Sequence, residues 1–260
     1  MVLGRLARRR VLLQHCAEGE GESRQQAEGN DDHPSEVIRC AQQYGRTVHR
    51  LGGTAARCRF GSIDCAPVSI ATKRGDRGTT GLLYGGRVRK DSLRIECNGA
   101  VDEAQAAIGL ARATLAAEGA AGPAAYAAGT IAELLVAVER DLWVLMAEVA
   151  TAPANRHKLV AGVSLVTGEM LEHVESHVHA LEAADVMPKE FVVPGQSTSS
   201  ACLDVARTVV RRAERQAVRL RLPDDSFVVP YLNRLSDLCW LVARAVETEH
   251  LTSRAKGRPS

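Results

Sequence analysis

Residues 131–149 read IAELLVAVERDLWVLMAEV. Ile131, Leu134, Leu135, Val138, Leu142, Leu145, Met146 and Val149 recur at spacings of three and four. That period places them on one broad apolar face of an α-helix. The segment extends to about 126–150, and four others have helical character: 93–117, 167–184, 197–220 and 229–250. Pro230 marks the start of the last, because proline fits only the first turn of a helix. GAAGPAA (119–125), TAPANRHKLVAG (151–162), VMPKEFVVPGQS (186–197) and LPDDS (222–226) separate the segments with glycine and proline. No strand alternation or internal repeat competes. The fold class is all-α, a bundle of five helices.

Composition agrees. Aromatic residues make up only 3% of the 260, while Ala, Val and Leu are abundant. Closely packed helices suit this better than a sandwich or barrel, whose strands favour aromatic and β-branched residues. The net charge of +2 and pI near 8.2 show near-balance, against the basic excess of a sequence-independent nucleic-acid binder. The seven cysteines contain no C-x-x-C pair and read as free thiols in a reducing compartment.

No apolar run approaches the roughly 20 residues needed to cross a bilayer. The opening MVLGRLARRRVLLQHCA is too short and polar for a secretory signal. The expected location is cytoplasmic. A mitochondrial one is the alternative if the arginines form a presequence, although serine is absent there and acidic residues follow from Glu18. Residues 1–67 show no sustained period and read as a disordered or non-native extension. A domain over 68–250 follows, then a flexible tail over 251–260.

The chemistry concentrates in three places. RTVVRRAER, Arg207–Arg215, holds four arginines and one glutamate in nine residues. On a helix Arg207, Arg211 and Glu214 fall within about 60° of one another, with Arg215 beside them and Arg212 farther round. Val205, Val209 and Ala213 occupy another side and are expected to pack inward. The run suits a polyanion stripe, a solvated face of helix neighbours, or a clamp for one phosphate-bearing ligand. Glu214 favours the last over nucleic acid, since a carboxylate orients guanidinium forks but repels a phosphate backbone.

YLNRLSDLCWLVAR, Tyr231–Arg244, carries Asn233, Arg234 and Asp237 into an otherwise apolar helix. Asn233, Asp237 and Trp240 share a face. A polar stripe there needs partners if buried, and the arginines of the preceding helix are candidates.

TKRGDRGTTGLLYGG, Thr72–Gly86, combines basic residues, glycines that permit close backbone approach, and threonine hydroxyls. These are the tools of a phosphate-holding backbone nest. The segment is neither a Walker loop nor a dinucleotide fingerprint. Alone, it reads better as a glycine-rich surface turn.

In order, TKRGDRGTTGL, GGRVRKDSLRIE, GAVDEAQAAIG, FVVPGQS, ARTVVRRAER and YLNRLSDLCWLVAR resemble the PduO-type ATP:corrinoid (cob(I)alamin) adenosyltransferases. The resemblance spans about 68–250. It implies a five-helix bundle assembled as a homotrimer, with active sites between subunits. It assigns ATP to Thr72, Lys73, Arg74, Gly75, Thr80, Gly81 and Lys90, together with Arg211, Arg212, Ala213, Glu214, Arg215 and Asn233. Mg²⁺ rides on the triphosphate, and no residue set is assigned to a resident metal. Asp102 pairs across the interface with Arg207, Phe191 lies beneath the corrin, and Trp240 is a second ring of that pocket. Arg211, Arg207 and Asp102 are the residues assigned to catalysis.

The implied reaction needs no protein nucleophile, because Co(I) of the corrinoid substrate attacks the 5′-carbon of ATP and expels triphosphate. The protein's tasks become alignment and neutralisation of the leaving charge. The implied partners are a cob(II)alamin reductase and a cobalamin-dependent acceptor enzyme, with neither nucleic acid nor membrane. A non-catalytic carrier that binds ATP or adenosylcobalamin and delivers it to a partner is the alternative.

Four positions depart from the family text. Ala104 and Gln105 stand where Leu-Asn is common, Gln196 replaces the second glycine of PGG, and Asp204 replaces a histidine. A positive φ at Gln196 would strain the turn beside Phe191. Asp204, three residues before Arg207, is placed to compete with Asp102 for that arginine. His173 and His177 have metal-compatible spacing but no third ligand, and read as exposed helix residues. Cys97, Cys202 and Cys239 read as small core or interface residues.

Overall fold

The computed structural model describes residues 71, 73–119 and 128–253. The predicted extension over 1–67, Thr72 and the tail beyond 253 lie outside the described residues. Five α-helices follow a small hairpin: α1 is Leu93–Glu118, α2 Ala128–Val149, α3 Gly168–Ala183, α4 Thr198–Arg219 and α5 Val228–Ala245. A 3-10 turn, Pro153–Lys158, interrupts the connection from α2 to α3. The predicted bundle is observed.

Local chemistry explains the helix limits. Ser197 caps α4 in a reciprocal box: its Oγ accepts from Ser200 N at 3.1 Å, and Ser200 Oγ accepts from Ser197 N at 3.1 Å. Glu118, in the last turn of α1, adds acceptors for Thr198 N (3.0 Å) and Ser199 N (3.3 Å). Thr167 caps α3 by accepting from Met170 N at 3.3 Å. α1 stops at Gly119, whose φ of 59° is the left-handed conformation glycine adopts without strain. Pro230 falls in the first turn of α5, as expected.

α1 packs chiefly on α4 and α2, α4 on α5, and α5 on α3. The apolar face of α2 is buried throughout, from Ile131 to Val149. Burying a side chain such as Leu142 stabilises the fold by about 1.5–3 kcal/mol. On α4 the inward residues are Leu203, Ala206, Val210, Ala213 and Ala217. Ala213 faces inward as expected and Val209 is half-buried, but Val205 is 55% exposed. The reason is that α1 and α5 both close on α4, so its buried arc centres on Ala206 and Val210, with Val205 outside it.

The hairpin pairs β1 (Thr79–Gly81) antiparallel with β2 (Arg87–Arg89), in register Thr80 with Val88. Strands of three residues are too short to show the alternation by which strands are recognised. The hairpin is tied to the bundle at Leu83, whose N donates to Ala150 O at 3.0 Å.

Glu148 organises the neighbouring loops. Its side chain is fully buried and accepts from Arg156 Nη1 (2.8 Å), Ser226 Oγ (2.7 Å) and Val166 N (2.9 Å). One carboxylate thereby fixes the α2–α3 connection at two points and the loop before α5. Cys97 and Cys239 are buried, and desolvation pushes both thiols up to about 12. They are packing residues as expected, while Cys202 is only half-buried.

Candidate active site

The glycine-rich segment folds as consecutive turns: Asp76 N donates to Lys73 O (3.3 Å) and Gly78 N to Gly75 O (3.1 Å). Lys73 takes a left-handed φ of 56° and Gly78 one of 74°. Lys90 lies over the loop. Its N donates to Gly78 O at 2.9 Å, and a Cβ placed on Gly75 would stand 3.1 Å from Lys90 Nζ. Gly75 is therefore where the chain makes room for an ammonium group. Arg74 and Lys90 are exposed, while Thr80 and Gly81 are half-buried in β1.

Arg87, which the motif reading overlooked, holds this loop in shape. Its Nη2 donates to Arg74 O (2.7 Å), Thr79 O (3.1 Å) and Thr79 Oγ1 (2.8 Å). Arg87 stands opposite Gly81 in the register, so it reaches Thr79 along the strand and no local sequence sign marked it.

On α4, Arg211, Arg212 and Arg215 project outward, and Glu214 is half-buried. Asn233 Nδ2 of α5 donates to Glu214 Oε1 at 3.2 Å. The polar stripe of α5 thus reaches α4 through the carboxylate rather than an arginine. Asp237 pairs instead with Arg234 at 2.8 Å, and Arg234 with Glu175 of α3 at 3.2 Å. The reason is proximity: Arg234 lies one turn from Asp237 on the same helix. Arg212 pairs with Glu103 of α1. Arg211 and Arg215 form no ion pair among the described residues. Ala213 is fully buried, so its side chain packs in the core rather than facing a ligand.

Asp102 is exposed on α1. Within the chain Arg207 Nε lies 3.5 Å from Asp204 Oδ1, an ion-pair contact without a hydrogen bond. The shorter bond of Asp204 goes to Arg244, at 2.7 Å. Asp204 is thus committed mainly to Arg244, and its contact with Arg207 is the longer of the two. Phe191 is 87% exposed. Trp240 is half-buried, with the Arg244 guanidinium 5.7 Å from its ring centroid. The left-handed residue of the turn after Phe191 is Gly195, with φ 112°; Gln196 does not carry that strain. Ala104 is a core residue, and Gln105 Nε2 donates to Glu139 O at 2.8 Å, so both departures are accommodated.

His173 is exposed and His177 half-buried, their rings meeting edge to face at 4.8 Å. Burial, then the neighbouring His173, lowers the pKa of His177. Among the described residues no group of three His, Cys, Asp or Glu side chains could hold a metal ion. No extensive packing joins the hairpin to α4 within the described chain. The predicted nucleotide set thus lies on two elements, a glycine-rich hairpin and the arginine-rich face of α4, that do not pack extensively on each other.

Residues 70–246 match the family model for cobalamin adenosyltransferase. This chain belongs to the cobalamin adenosyltransferase family. A corrinoid adenosyltransferase of Bacillus subtilis is 37% identical over 69% of this chain and 86% of that protein. One from Citrobacter freundii is 36% identical over 69% of this chain and 95% of its own length. Among solved structures, a variant PduO-type ATP:co(I)rrinoid adenosyltransferase from Lactobacillus reuteri complexed with ATP superposes with a TM-score of 0.59 at 25% identity. That match covers 71% of this chain and 100% of the other. A second variant from that organism, complexed with cobalamin and ATP, gives 0.56 at 26% identity over 68% of this chain and 90% of its own. The matched family segment contains both surfaces described above, along with Phe191 and Trp240.

Proposed function

We propose that this chain transfers the 5′-deoxyadenosyl group of ATP to the Co(I) of a corrinoid such as cobalamin. The cobalt–carbon bond forms with the electron pair of Co(I), the bond from C5′ to the triphosphate oxygen breaks, and triphosphate leaves with the electron pair of that broken C–O bond. The observation that carries the reading is the Arg211–Arg215 surface. Among the described residues two guanidiniums there have no ion pair, beside a carboxylate to which Asn233 donates. Such a positive surface lowers the energy of a leaving polyanion by placing charge where negative charge develops.

The residues divide into three tasks. Lys73, Arg74, Gly75, Thr80, Gly81 and Lys90 cradle the triphosphate, with Thr72 assigned to the same loop. Arg211, Arg212 and Arg215, with Glu214 and Asn233, meet it from the other side. Phe191 and Trp240 offer apolar rings to the corrin, and Asp102 and Arg207 close the interface. The lack of extensive packing between the hairpin and α4 among the described residues fits a site completed by a second copy, in a homotrimer. Mg²⁺ fits as a companion of the triphosphate, since that ion prefers phosphate oxygens, water and one or two carboxylates to an all-protein cage. Bound there, it supplies charge neutralisation. Reduced corrinoid must come from a reductase, and the product must pass to a cobalamin-dependent enzyme.

The test mixes the protein anaerobically with Mg-ATP and chemically reduced cobalamin, following the cobalt–carbon product spectrum and triphosphate release. Both should appear in equal amounts. Binding of ATP by an intact oligomer with no product would reject catalysis in favour of the carrier.

A further inference from the structure

A chain of four buried or half-buried polar side chains crosses the bundle outside the nucleotide set. Asp204 is 7% exposed and contacts both Arg207 and Arg244. Arg244 is 1% exposed and uses Nη2 again to reach Glu247 Oε1 at 2.8 Å. The side chain of Glu247 is fully buried, and His250 Nδ1 lies 2.8 Å from its Oε2. A carboxylate only accepts, so Nδ1 carries the proton in that bond. Immediately after His250 the backbone pairs with the loop that bears Phe191. Val193 N donates to Leu251 O at 2.7 Å, and Ser253 N donates to Phe191 O at 2.8 Å. Residues 251–253, which the sequence assigned to a tail, are thus part of this pairing.

Two properties make the arrangement more than packing. First, Asp204 and Glu247 balance Arg207 and Arg244 in charge, and removing one would strand another away from water. The chain of contacts is therefore held closed. Second, an exposed ring such as Phe191 is not fixed by core packing. Its place is set by its backbone, and the two hydrogen bonds there come from Leu251 and Ser253. A group held in its binding position before the ligand arrives loses less freedom on binding.

We infer that Asp204, Arg244, Glu247 and His250 are positioning residues that hold segment 250–253 as a strap, and that this strap fixes Phe191 for the corrinoid. The inference rests on the reading of Phe191 as a corrinoid contact. None of the four touches the reacting atoms in this scheme; each acts through the Phe191 backbone. Asp204, one of the departures from the family text, acquires a role as the anchor of the chain on α4.

The experiment measures apparent KM for cob(I)alamin and for ATP separately in the full chain, with Ser253→Pro, Glu247→Gln, Phe191→Ala and the double variants. Ser253→Pro removes the donor to Phe191 O and leaves the charged network untouched. Each strap variant should raise the corrinoid KM at least threefold, leave the ATP KM unchanged, and add nothing in the Phe191→Ala background. A rise with Phe191→Ala but none with Ser253→Pro would overturn the strap and leave the corrinoid assignment standing. No rise with Phe191→Ala would remove both. Equal increases in the two KM values would mark the strap as merely structural. Should Glu247→Gln fail to fold, Ser253→Pro decides.

Discussion

Gly75→Ala separates shape from charge at the predicted nucleotide site. Gly75 is absent from the positive-φ positions, so alanine fits its backbone. The new methyl would stand 3.1 Å from Lys90 Nζ and 3.2 Å from Cε, closer than ordinary contact. The flexible end of Lys90 yields, at a cost of about 0.5–1.5 kcal/mol at most if it is forced off a rotamer. Folding stability should barely change. The ammonium group, however, retreats from the loop. At an effective dielectric constant of about 20, unit charges about 4 Å apart interact by about 4 kcal/mol, and a further ångström removes roughly 1 kcal/mol. That corresponds to a roughly threefold to fivefold rise in the ATP KM once screening of an exposed lysine is allowed for. Steady-state kinetics on wild type, Gly75→Ala, Lys90→Ala and the double variant form a closed cycle. If the methyl acts through Lys90, it should do nothing further once Lys90 is alanine. A full effect of Gly75→Ala in the Lys90→Ala background would refute the reasoning, as would a large loss of stability.

Other expectations follow from the same contacts. Arg211→Ala should lower kcat by about 10²- to 10³-fold, the usual loss when one preorganised charge partner is removed. Thermal unfolding and oligomer mass should stay unchanged because Arg211 is exposed. Arg207→Ala should in addition raise the corrinoid KM or weaken assembly, measured by sedimentation. Glu148→Ala strands three donors, and denaturant unfolding should show a loss of about 3–5 kcal/mol; a loss below about 1 kcal/mol would contradict its role as a loop anchor. Burial raises the carboxyl of Asp141 above its ordinary 3.8, opposed by the Tyr231 hydroxyl that donates to Oδ2. Its stabilising contribution is complete below the unfolded pKa and is lost as pH rises through the higher folded value. Asp141→Asn should therefore gain stability relative to wild type as pH rises from 3.8 toward neutrality, measured by denaturation across that range. A constant difference would show that Asp141 is not perturbed by folding.

The sequence disclosed what repeats and what caps. The three- and four-residue spacing from Ile131 to Val149 sufficed for α2, and Ser197, Thr167 and Pro230 marked helix starts to within about one residue. Motif order disclosed the family. What stayed hidden depended on partners distant in the chain. Asp204 and Arg244 are forty positions apart, and no local pattern announces their bond. Which side of α4 is buried depended on two neighbouring helices, and for that reason Val205 was misplaced. The hairpin escaped because three-residue strands have no period to read. Arg87 escaped because its task is to bond backbone oxygens, which every sequence contains.

Glu118 and the start of α4 have a consequence for how this chain can change in length. The last turn of α1 supplies the acceptors for Thr198 N and Ser199 N, so one helix measures the other. Inserting one residue into α1 would turn Glu118 by about 100° and advance it about 1.5 Å, taking it away from those amides. Insertions between Gly119 and Ser197 leave this pair of helix ends in register. The two helices that carry Asp102 and the arginine run should keep a constant span.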